Sequence, residues 1–252
     1  MMVVIVTITY AQEKTAFYCP PCNGGCDDLA YDKAGKCTHC NMDLVKMTAS
    51  QHKAVTNWQP MTIAFYLQDG VEVLDFAGPM EVFAYAGFKV FTVSRTKDPI
   101  LSQGILKIIP DYSIENAPPS DIIAFFGGNG ANAFGTDVVK WLSARQNATK
   151  YLFSVCTGAY ALGKSGALDN QTATTFHLAI DNLRKQFPKV TVLDNVRFVD
   201  NGKVITTAGI SAGIDGALHL VSKLRGESVA VETAKYMEYD KWKPGEGLIV
   251  KK

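Results

Sequence analysis

The sequence has no cluster of lysines and arginines, and its 25 basic and 24 acidic residues leave a formal net charge of +1. This balance argues against a nucleic-acid-binding surface as the main function. No apolar run approaches the roughly 20 residues of a membrane-spanning helix. Charged residues make up 19% of the chain and hydrophobic residues 47%, which excludes a disordered protein. We therefore expect a globular protein with no nucleic acid as partner and no membrane span.

Cysteine is scarce outside one short segment. Five of the six cysteines lie between positions 19 and 40, and the sixth is Cys156. An even number of cysteines can form a disulfide framework, but a chain this long and this rich in core residues does not need one. The uneven distribution instead predicts a metal site together with one separate thiol.

The cysteine-rich segment, residues 17–46, contains two C-x-x-C pairs, which can bring four thiolates to one tetrahedral zinc ion. The predicted ligands are Cys19, Cys22, Cys37 and Cys40. Cys26 is the alternative ligand, and His39 could also replace one of the four. The other interpretation is two disulfides with Cys26 unpaired. An odd number of cysteines in the segment fits this interpretation poorly.

This segment resembles the small heavy-metal-binding domain of bacterial metal-handling proteins. The resemblance rests on the tyrosine and C-P start at 18–20 and on the C-x-x-C-x-M-x-L pattern at 37–44. Cys22 stands where that family has histidine, and Asn41 stands where it has glycine. These departures favour an all-thiolate zinc ribbon, although soft thiolate ligands also suit copper(I).

The two flanking segments have weaker signals. Residues 1–11 are apolar and end in small residues at the positions that a signal peptidase inspects, so we expect an export signal and a periplasmic location. The alternative is an N-terminal β-strand in a cytoplasmic protein. Residues 47–60 are polar and end in proline, which predicts a linker.

From residue 61 to about 240 the sequence alternates between strand and helix patterns. The predicted strands are 61–67, 89–94, 106–110, 121–126, 151–155 and 203–208. The predicted helices are 72–86, 135–149, 157–168, 176–187 and 211–225. Such alternation predicts a mainly parallel sheet covered on both faces, with ligands bound at the carboxyl ends of its strands.

Cys156 lies at one of these strand ends, between the apolar run 151–155 and a helical pattern. Unpaired N–H groups and the helix dipole at this junction are expected to lower the pKa of the thiol and to stabilise an oxyanion. A buried structural cysteine is the alternative interpretation. The local pattern does not decide between the two.

Four blocks of the α/β region together resemble the ThiJ/PfpI superfamily, the class I glutamine-amidotransferase-like proteins, and above all its isonitrile-hydratase-like branch. The blocks are 69–83, 122–132, 154–177 and 207–226. The resemblance implies a flavodoxin-like α/β fold with a nucleophile elbow, no cofactor for this domain, and a homodimer. It also suits a hydratase or hydrolase acting on a small carbon–nitrogen or carbonyl compound.

The resemblance carries specific residues with it. It makes Cys156 the nucleophile, and Asp75 an acid that shares a proton with it and should have a raised pKa. The alternative role for Asp75 is a helix N-cap. Thr157 belongs to the implied active site, and three residues of the glycine loop form the oxyanion- and substrate-binding group: Gly127, Gly128 and Asn129.

His177 departs from the family pattern, because the histidine of many members directly follows the Thr-Thr pair and here Phe176 intervenes. A one-residue shift at a helix start turns a side chain by about 100°, which weakens a Cys–His pair. A sequence without this base favours a Cys–Asp hydratase. The alternatives are a ligand- or redox-sensing domain, or a protein whose working part is the metal-binding segment.

Overall fold

The computed structural model describes residues 14–19, 26, 29–56, 60–129 and 133–251. The chain divides into two compact units, residues 1–59 and 60–252. The predicted export signal at 1–11 and the predicted ligand Cys22 lie outside the described residues. None of the helices in the described ranges combines the length and the apolar character that crossing a bilayer requires.

The first unit contains a small antiparallel sheet and one helix. Its strands are β1 (Thr15–Tyr18), β2 (Ala30–Tyr31) and β3 (Val45–Thr48), in the order β2-β1-β3, and helix α1 (Ala49–Thr56) follows.

The predicted linker at 47–60 is therefore largely regular structure, formed by the end of β3 and by α1. A capping box starts this helix. The Gln51 side chain accepts a hydrogen bond from the Thr48 N–H at 2.8 Å, and the Thr48 hydroxyl accepts one from the Gln51 N–H at 3.1 Å. The sequence of the helix, ASQHKAVT, is largely polar, which is why the segment looks like a linker.

The second unit is built on an eight-stranded sheet with helices on both faces. Its strands are β4 (Thr62–Tyr66), β5 (Lys89–Ser94), β6 (Ile100–Ser102), β7 (Leu106–Ile108), β8 (Tyr112–Ser113), β9 (Ile122–Phe125), β10 (Tyr151–Val155), β11 (Thr172–Ala173), β12 (Thr191–Val192), β13 (Phe198–Asp200), β14 (Val204–Thr207) and β15 (Leu248–Ile249). Its helices are α2 (Val73–Tyr85), α3 (Thr136–Arg145), α4 (Ala159–Lys164), α5 (Ile180–Gln186), α6 (Ala212–Arg225) and α7 (Glu227–Tyr236).

The large sheet has the order β15-β13-β14-β10-β9-β4-β5-β8, and the six strands from β14 to β8 are parallel. The strand order confirms the flavodoxin-like α/β class. Only the β13–β14 pair is antiparallel among the pairs described in this sheet.

Alternation along the central strands produces two cores. In β4, Ile63 and Phe65 belong to the core under α2, α6 and α7, whereas Ala64 and Tyr66 belong to the core under α3, α4 and α5. Because successive side chains of a strand point to opposite faces, an unbroken apolar run is what a doubly covered strand requires. The parallel sheet predicted from such runs is confirmed.

The predicted strand at 106–110 is not part of the large parallel sheet. It is shorter, and as β7 it pairs only with β6 in an antiparallel ribbon outside the large sheet. Gln103 and Gly104, with φ of 46° and 75°, form the tight turn that joins the two strands. The side chains of β7 are mostly exposed, so its apolar residues do not mark a core strand.

Candidate active site

The carboxyl ends of four neighbouring parallel strands, β4, β9, β10 and β14, bring distant parts of the chain to one edge of the sheet. Asp75 lies in the first turn of α2 after β4, and Gly127 follows β9. Cys156 directly follows β10, and Ile210 comes three residues after β14. This edge is where open α/β sheets bind their ligands.

Cys156 occupies a sharp turn between β10 and a short 3₁₀ turn, Cys156–Gly158, that leads into α4. Its φ of 57° lies in the left-handed region, an uncommon conformation for a residue with a side chain. The Cys156 N–H donates to the Ala208 carbonyl at 3.1 Å, and the Thr175 hydroxyl donates to the Cys156 carbonyl at 2.7 Å. These bonds from neighbouring segments hold the elbow in place.

Gly158 makes the elbow sterically possible. A Cβ at this position would collide with the carbonyl oxygen of Phe125, at the end of the neighbouring strand β9. The chain can therefore turn this close to β9 only with glycine two residues after the cysteine.

Asp75 is fully buried and held at both oxygens. Its Oδ2 accepts the Gly127 N–H and its Oδ1 accepts the Ile210 N–H, each at 2.9 Å. A Cβ added to Gly127 would lie 2.8 Å from Asp75 Oδ2 and 2.7 Å from both the Cys156 Sγ and the Thr157 Oγ1. The carboxyl, the thiol and the hydroxyl therefore converge around the space that a side chain at Gly127 would occupy.

Burial raises the pKa of Asp75 to about 6, although hydrogen bonds from Ile210, Gly127 and the Cys156 thiol all act to lower it. The raised pKa expected from the sequence is confirmed. Burial, and next the charge of Asp75, also raise the pKa of Cys156 far above its usual value. The expected lowering of the thiol pKa is therefore wrong, because the Thr157 N–H acts in that direction but is too weak. At neutral pH these two shifts leave the proton on the sulfur and Asp75 ionised.

The glycine loop presents fewer free donors than the sequence suggests. The Gly127 N–H is committed to Asp75, and the Asn129 N–H donates to the Gly70 carbonyl at 3.0 Å. These two amides are thus unsuited to bind a substrate oxygen. Gly128 forms an isolated antiparallel bridge with Val71, and its N–H has no acceptor among the described residues. Among the described amides of this loop, Gly128 is therefore the one that remains for an oxyanion.

Two residues that sequence reasoning missed hold the site together. Ile210, with φ of 57°, aims its N–H at Asp75. Gln68 is 4% exposed, and its side-chain amide donates to the carbonyls of Phe126 at 2.9 Å and Gly127 at 3.2 Å. The only sequence signal for Gln68 is a polar residue at the end of an apolar strand.

His177 lies exposed in a 3₁₀ turn, His177–Ala179, with its ring 4.3 Å from that of Phe176. Phe176 instead packs against the core cluster that contains Cys156. The sequence-based expectation that the shifted histidine does not pair with the cysteine agrees with this placement.

The first unit contains a second cluster of reactive side chains. The sulfurs of Cys19, Cys26, Cys37 and Cys40 all lie within 4.8 Å of one another. Cys19 and Cys40 are separated by 3.1 Å and Cys19 and Cys26 by 3.7 Å, without a disulfide among the described cysteines. Tetrahedral zinc with 2.3 Å bonds would separate thiolates by about 3.8 Å, so the donor set fits this ion. The alternative ligand Cys26 thus belongs to the described cluster.

The turn that carries Cys37 and Cys40 is shaped for such a site. The Cys37 carbonyl accepts the Asn41 N–H at 2.9 Å, and the Cys37 N–H donates to the Met42 carbonyl at 2.8 Å. Asn41 has φ of 61°, which explains why asparagine can replace the glycine of the heavy-metal-binding pattern.

Comparison with known proteins gives relatives of several kinds. Isonitrile hydratase from Pseudomonas putida is 33% identical over 182 residues, which cover 71% of this chain and 78% of that protein. The HTH-type transcriptional regulator GbdR of Pseudomonas aeruginosa is 25% identical over 73% of this chain, which spans only 52% of the regulator. The crystal structure of a ThiJ/PfpI family protein from Pseudomonas syringae has a TM-score of 0.67 and 29% identity, covering 74% of this chain and 78% of that one.

The sequence profile of the DJ-1/PfpI family matches residues 61–223, which include every residue of the Cys156 site described above. The nucleophile elbow, the buried acid and the strand order agree with this match. The chain belongs to the DJ-1/PfpI family.

Proposed function

We propose that the α/β unit is a cysteine-dependent hydratase that adds water to a small carbon–nitrogen compound of the isonitrile type. The observation that carries the proposal is the pair formed by Cys156 and Asp75 at the carboxyl edge of the sheet. Asp75 is fully buried, is fixed by two backbone amides, and contacts a thiol at a strained elbow. The 33% identity to an isonitrile hydratase supports the same reaction class.

The geometry suggests how the two side chains divide the reaction. As the Cys156 Sγ bonds to the terminal carbon of the isonitrile, Asp75 takes the thiol proton and then delivers it to that carbon. The product of this step is a thioimidate, in which sulfur and nitrogen share one carbon. Water then adds to the carbon, its protons pass to nitrogen and sulfur, and the carbon–sulfur bond breaks. The net result is an N-substituted formamide and a regenerated thiol.

Nearby donors would stabilise the charge that develops in these steps. Thr157 places a hydroxyl beside the sulfur, and its N–H points at the same atom. The Gly128 N–H supports the oxygen that water contributes, since the Gly127 and Asn129 amides donate to other acceptors. Because these donors are already held in place, they can stabilise the developing charge without a rearrangement of the protein.

The protonated state of Cys156 disfavours the alternative of a redox sensor. Oxidation to sulfenic or sulfinic acid requires thiolate character, and both burial and the Asp75 charge act against it. A hydratase is less affected, because Asp75 accepts the proton within the same step. A ligand-sensing role, as the similarity to a transcriptional regulator suggests, predicts binding without chemistry.

The decisive experiment incubates the full chain with small isonitriles and follows formamide by proton NMR. We expect product from the wild type and none from Cys156→Ala at matched concentration and matched circular dichroism. Binding of the isonitriles without product in the wild type would support ligand sensing and contradict the hydratase. Formamide production by Cys156→Ala would contradict the role of the thiol.

We also propose that the cysteine cluster of the first unit binds one zinc ion with a structural role. Three of its four thiols are no more than 2% exposed, and four thiolates leave no open coordination position for catalysis. When bound, zinc would tie together segments that a unit of this size cannot hold by apolar packing alone. Metal analysis of the purified chain tests this, with one zinc per chain expected and no bound metal contradicting it.

A further inference from the structure

A cavity of about 630 Å³ opens beside the Cys156 elbow. It lies among the segments that follow β11, β12 and β14. The lining residues that matter here are Phe176, Ile180, Arg184, Val196, Arg197 and Ile210. A space of this volume is far larger than the reacting carbon and nitrogen of the proposed substrate need.

Two of the lining residues connect the cavity to the catalytic pair. Ile210 donates its N–H to Asp75. A Cβ added to Gly209 would lie 2.5 Å from Phe176 Cδ2 and 3.4 Å from the Cys156 Sγ. The edge of the Phe176 ring and the sulfur therefore border the same small space. The Phe176 ring is the apolar wall of the cavity on the side of the thiol.

The two cations of the cavity are already occupied by partners within the chain. Arg197 forms an ion pair with Asp215, whose side chain is 6% exposed, and donates to the Ser211 hydroxyl at 3.2 Å. Arg184 donates to the Val192 carbonyl at 3.0 Å, and also to Asp181 at 3.1 Å. An anionic ligand would have to displace these contacts.

The two carboxylates of the lining are paired as well, because Asp181 and Asp194 lie 3.1 and 3.7 Å from Arg184. With its charged side chains paired within the chain, the cavity is suited to an uncharged group. Phe176, Ile180, Val196 and Ile210 supply apolar side chains on several sides. Burial of apolar surface is the main contribution that such walls can make to binding.

We infer that this cavity binds the non-reacting part of the substrate and that Phe176 determines specificity for it. The substrate class is an electrophile that carries an uncharged aromatic substituent, with the reacting carbon at Cys156 and the substituent against the Phe176 ring. This inference rests on the proposed hydratase function, because it assumes that Cys156 attacks the substrate.

The test measures alkylation of Cys156, which needs no turnover. Iodoacetamide and iodoacetanilide have the same reacting group and both release iodide, but only the second carries a phenyl ring. Rates at the Cys156 peptide are followed by mass spectrometry, so that the cysteines of the first unit do not interfere. The ratio of the two rates is divided by the same ratio for free cysteine.

We expect wild type to show a normalised preference for iodoacetanilide, and Phe176→Ala to reduce it by about two- to tenfold, as the loss of an aromatic contact predicts. Phe176→Leu, which keeps an apolar side chain in place, should give an intermediate value. The matched control is Leu178→Ala, because Leu178 is 78% exposed in the adjacent turn. It should leave the preference unchanged.

A wild-type ratio equal to that of free cysteine would overturn the inference. So would a preference that survives in both Phe176 variants, provided that their thermal unfolding matches wild type. Failure of the hydratase proposal would be seen separately, as absence of formamide in the NMR assay while the alkylation preference remains.

Discussion

Asp75 Oδ1 accepts a 2.9 Å hydrogen bond from the backbone N–H of Ile210, a residue 135 positions later in the chain. The acid in the first turn of α2 is thus fixed by the loop that follows β14. Ile210 adopts a left-handed φ of 57°, which costs about 1–3 kcal/mol for a residue with a side chain. This strain, together with that of Cys156, is concentrated around the proposed reacting atoms.

The close approach at Gly158 predicts a large effect of one methyl group. Gly158→Ala should destabilise the fold by about 3 kcal/mol, because the added carbon meets the backbone carbonyl of Phe125 and not a movable side chain. Urea unfolding measures the difference. Gly166→Ala is the matched control, since Gly166 has φ of 78° but no atom within 4 Å of an added Cβ. Its cost should be about 1–2 kcal/mol, and equal losses in the two variants would refute the steric explanation.

The cysteine cluster predicts which residues hold the metal. Cys26→Ser should lower the zinc content of the purified chain from one ion to nearly none, because Cys26 is among the four sulfurs within 4.8 Å. Plasma mass spectrometry after desalting measures this, with Cys156→Ser as the control that keeps its zinc. Cys22→Ser should also keep zinc if the ligands are the described cluster. Full zinc in Cys26→Ser together with loss in Cys22→Ser would contradict this assignment and favour the ligand set expected from the sequence.

A buried ion cluster at the opposite edge of the sheet predicts a pH-dependent contribution to stability. Asp200, 1% exposed, contacts His219 Nε2 at 2.8 Å and Lys223 Nζ at 2.9 Å. Burial raises the pKa of Asp200, but the bonds from His219 and Lys223 outweigh it and hold this pKa below its usual value. The stabilisation is therefore present above the unfolded pKa of about 4 and is lost as the pH falls through the lower folded value.

Lys223→Met should accordingly cost about 1–3 kcal/mol of unfolding free energy at pH 7 and less at pH 3, which lies below the unfolded pKa of Asp200. Urea unfolding at the two pH values measures it. Lys140→Met, at an exposed position of α3, is the control and should change little at either pH. A cost for Lys223→Met that does not shrink in acid would mean that Asp200 is not the partner that matters.

The central part of this fold could be predicted from the sequence because its strands are buried on both faces. β4, β5, β9 and β10 are apolar runs that only a covered parallel sheet accommodates. The outer elements β8, β13 and β15 have two or three residues each, too few for a periodic signal. Helix α7 directly follows α6 at Gly226, where a positive φ of 94° ends one helix and begins the next.

The sequence allowed prediction of the site residues that act through their side chains. Cys156 and Asp75 each follow an identifiable strand, so the sequence placed both at one edge. The roles of Gly127 and Ile210 depend on which way a backbone N–H points, and this depends on long-range packing. The pKa of Cys156 could not be read from the elbow alone, because burial and a buried carboxylate together outweigh the local N–H groups.

In the proposed reaction, Asp75 and Cys156 share one proton in the reacting state. In this state Asp75 is ionised and Cys156 is protonated, so activity should rise as the pH increases through the Asp75 pKa of about 6. It should fall again only at a pH well above the usual pKa of a thiol, because the pKa of Cys156 is raised.

The most direct measurement is kcat/KM for isonitrile hydration between pH 4.5 and 9 in wild type and Asp75→Asn, at about half-unit steps across the acidic limb. Wild type should show the acidic limb near pH 6, and Asp75→Asn should lose both that limb and about a hundredfold or more of the rate. An unchanged acidic limb in Asp75→Asn, or a rate equal to that of wild type, would contradict the shared proton.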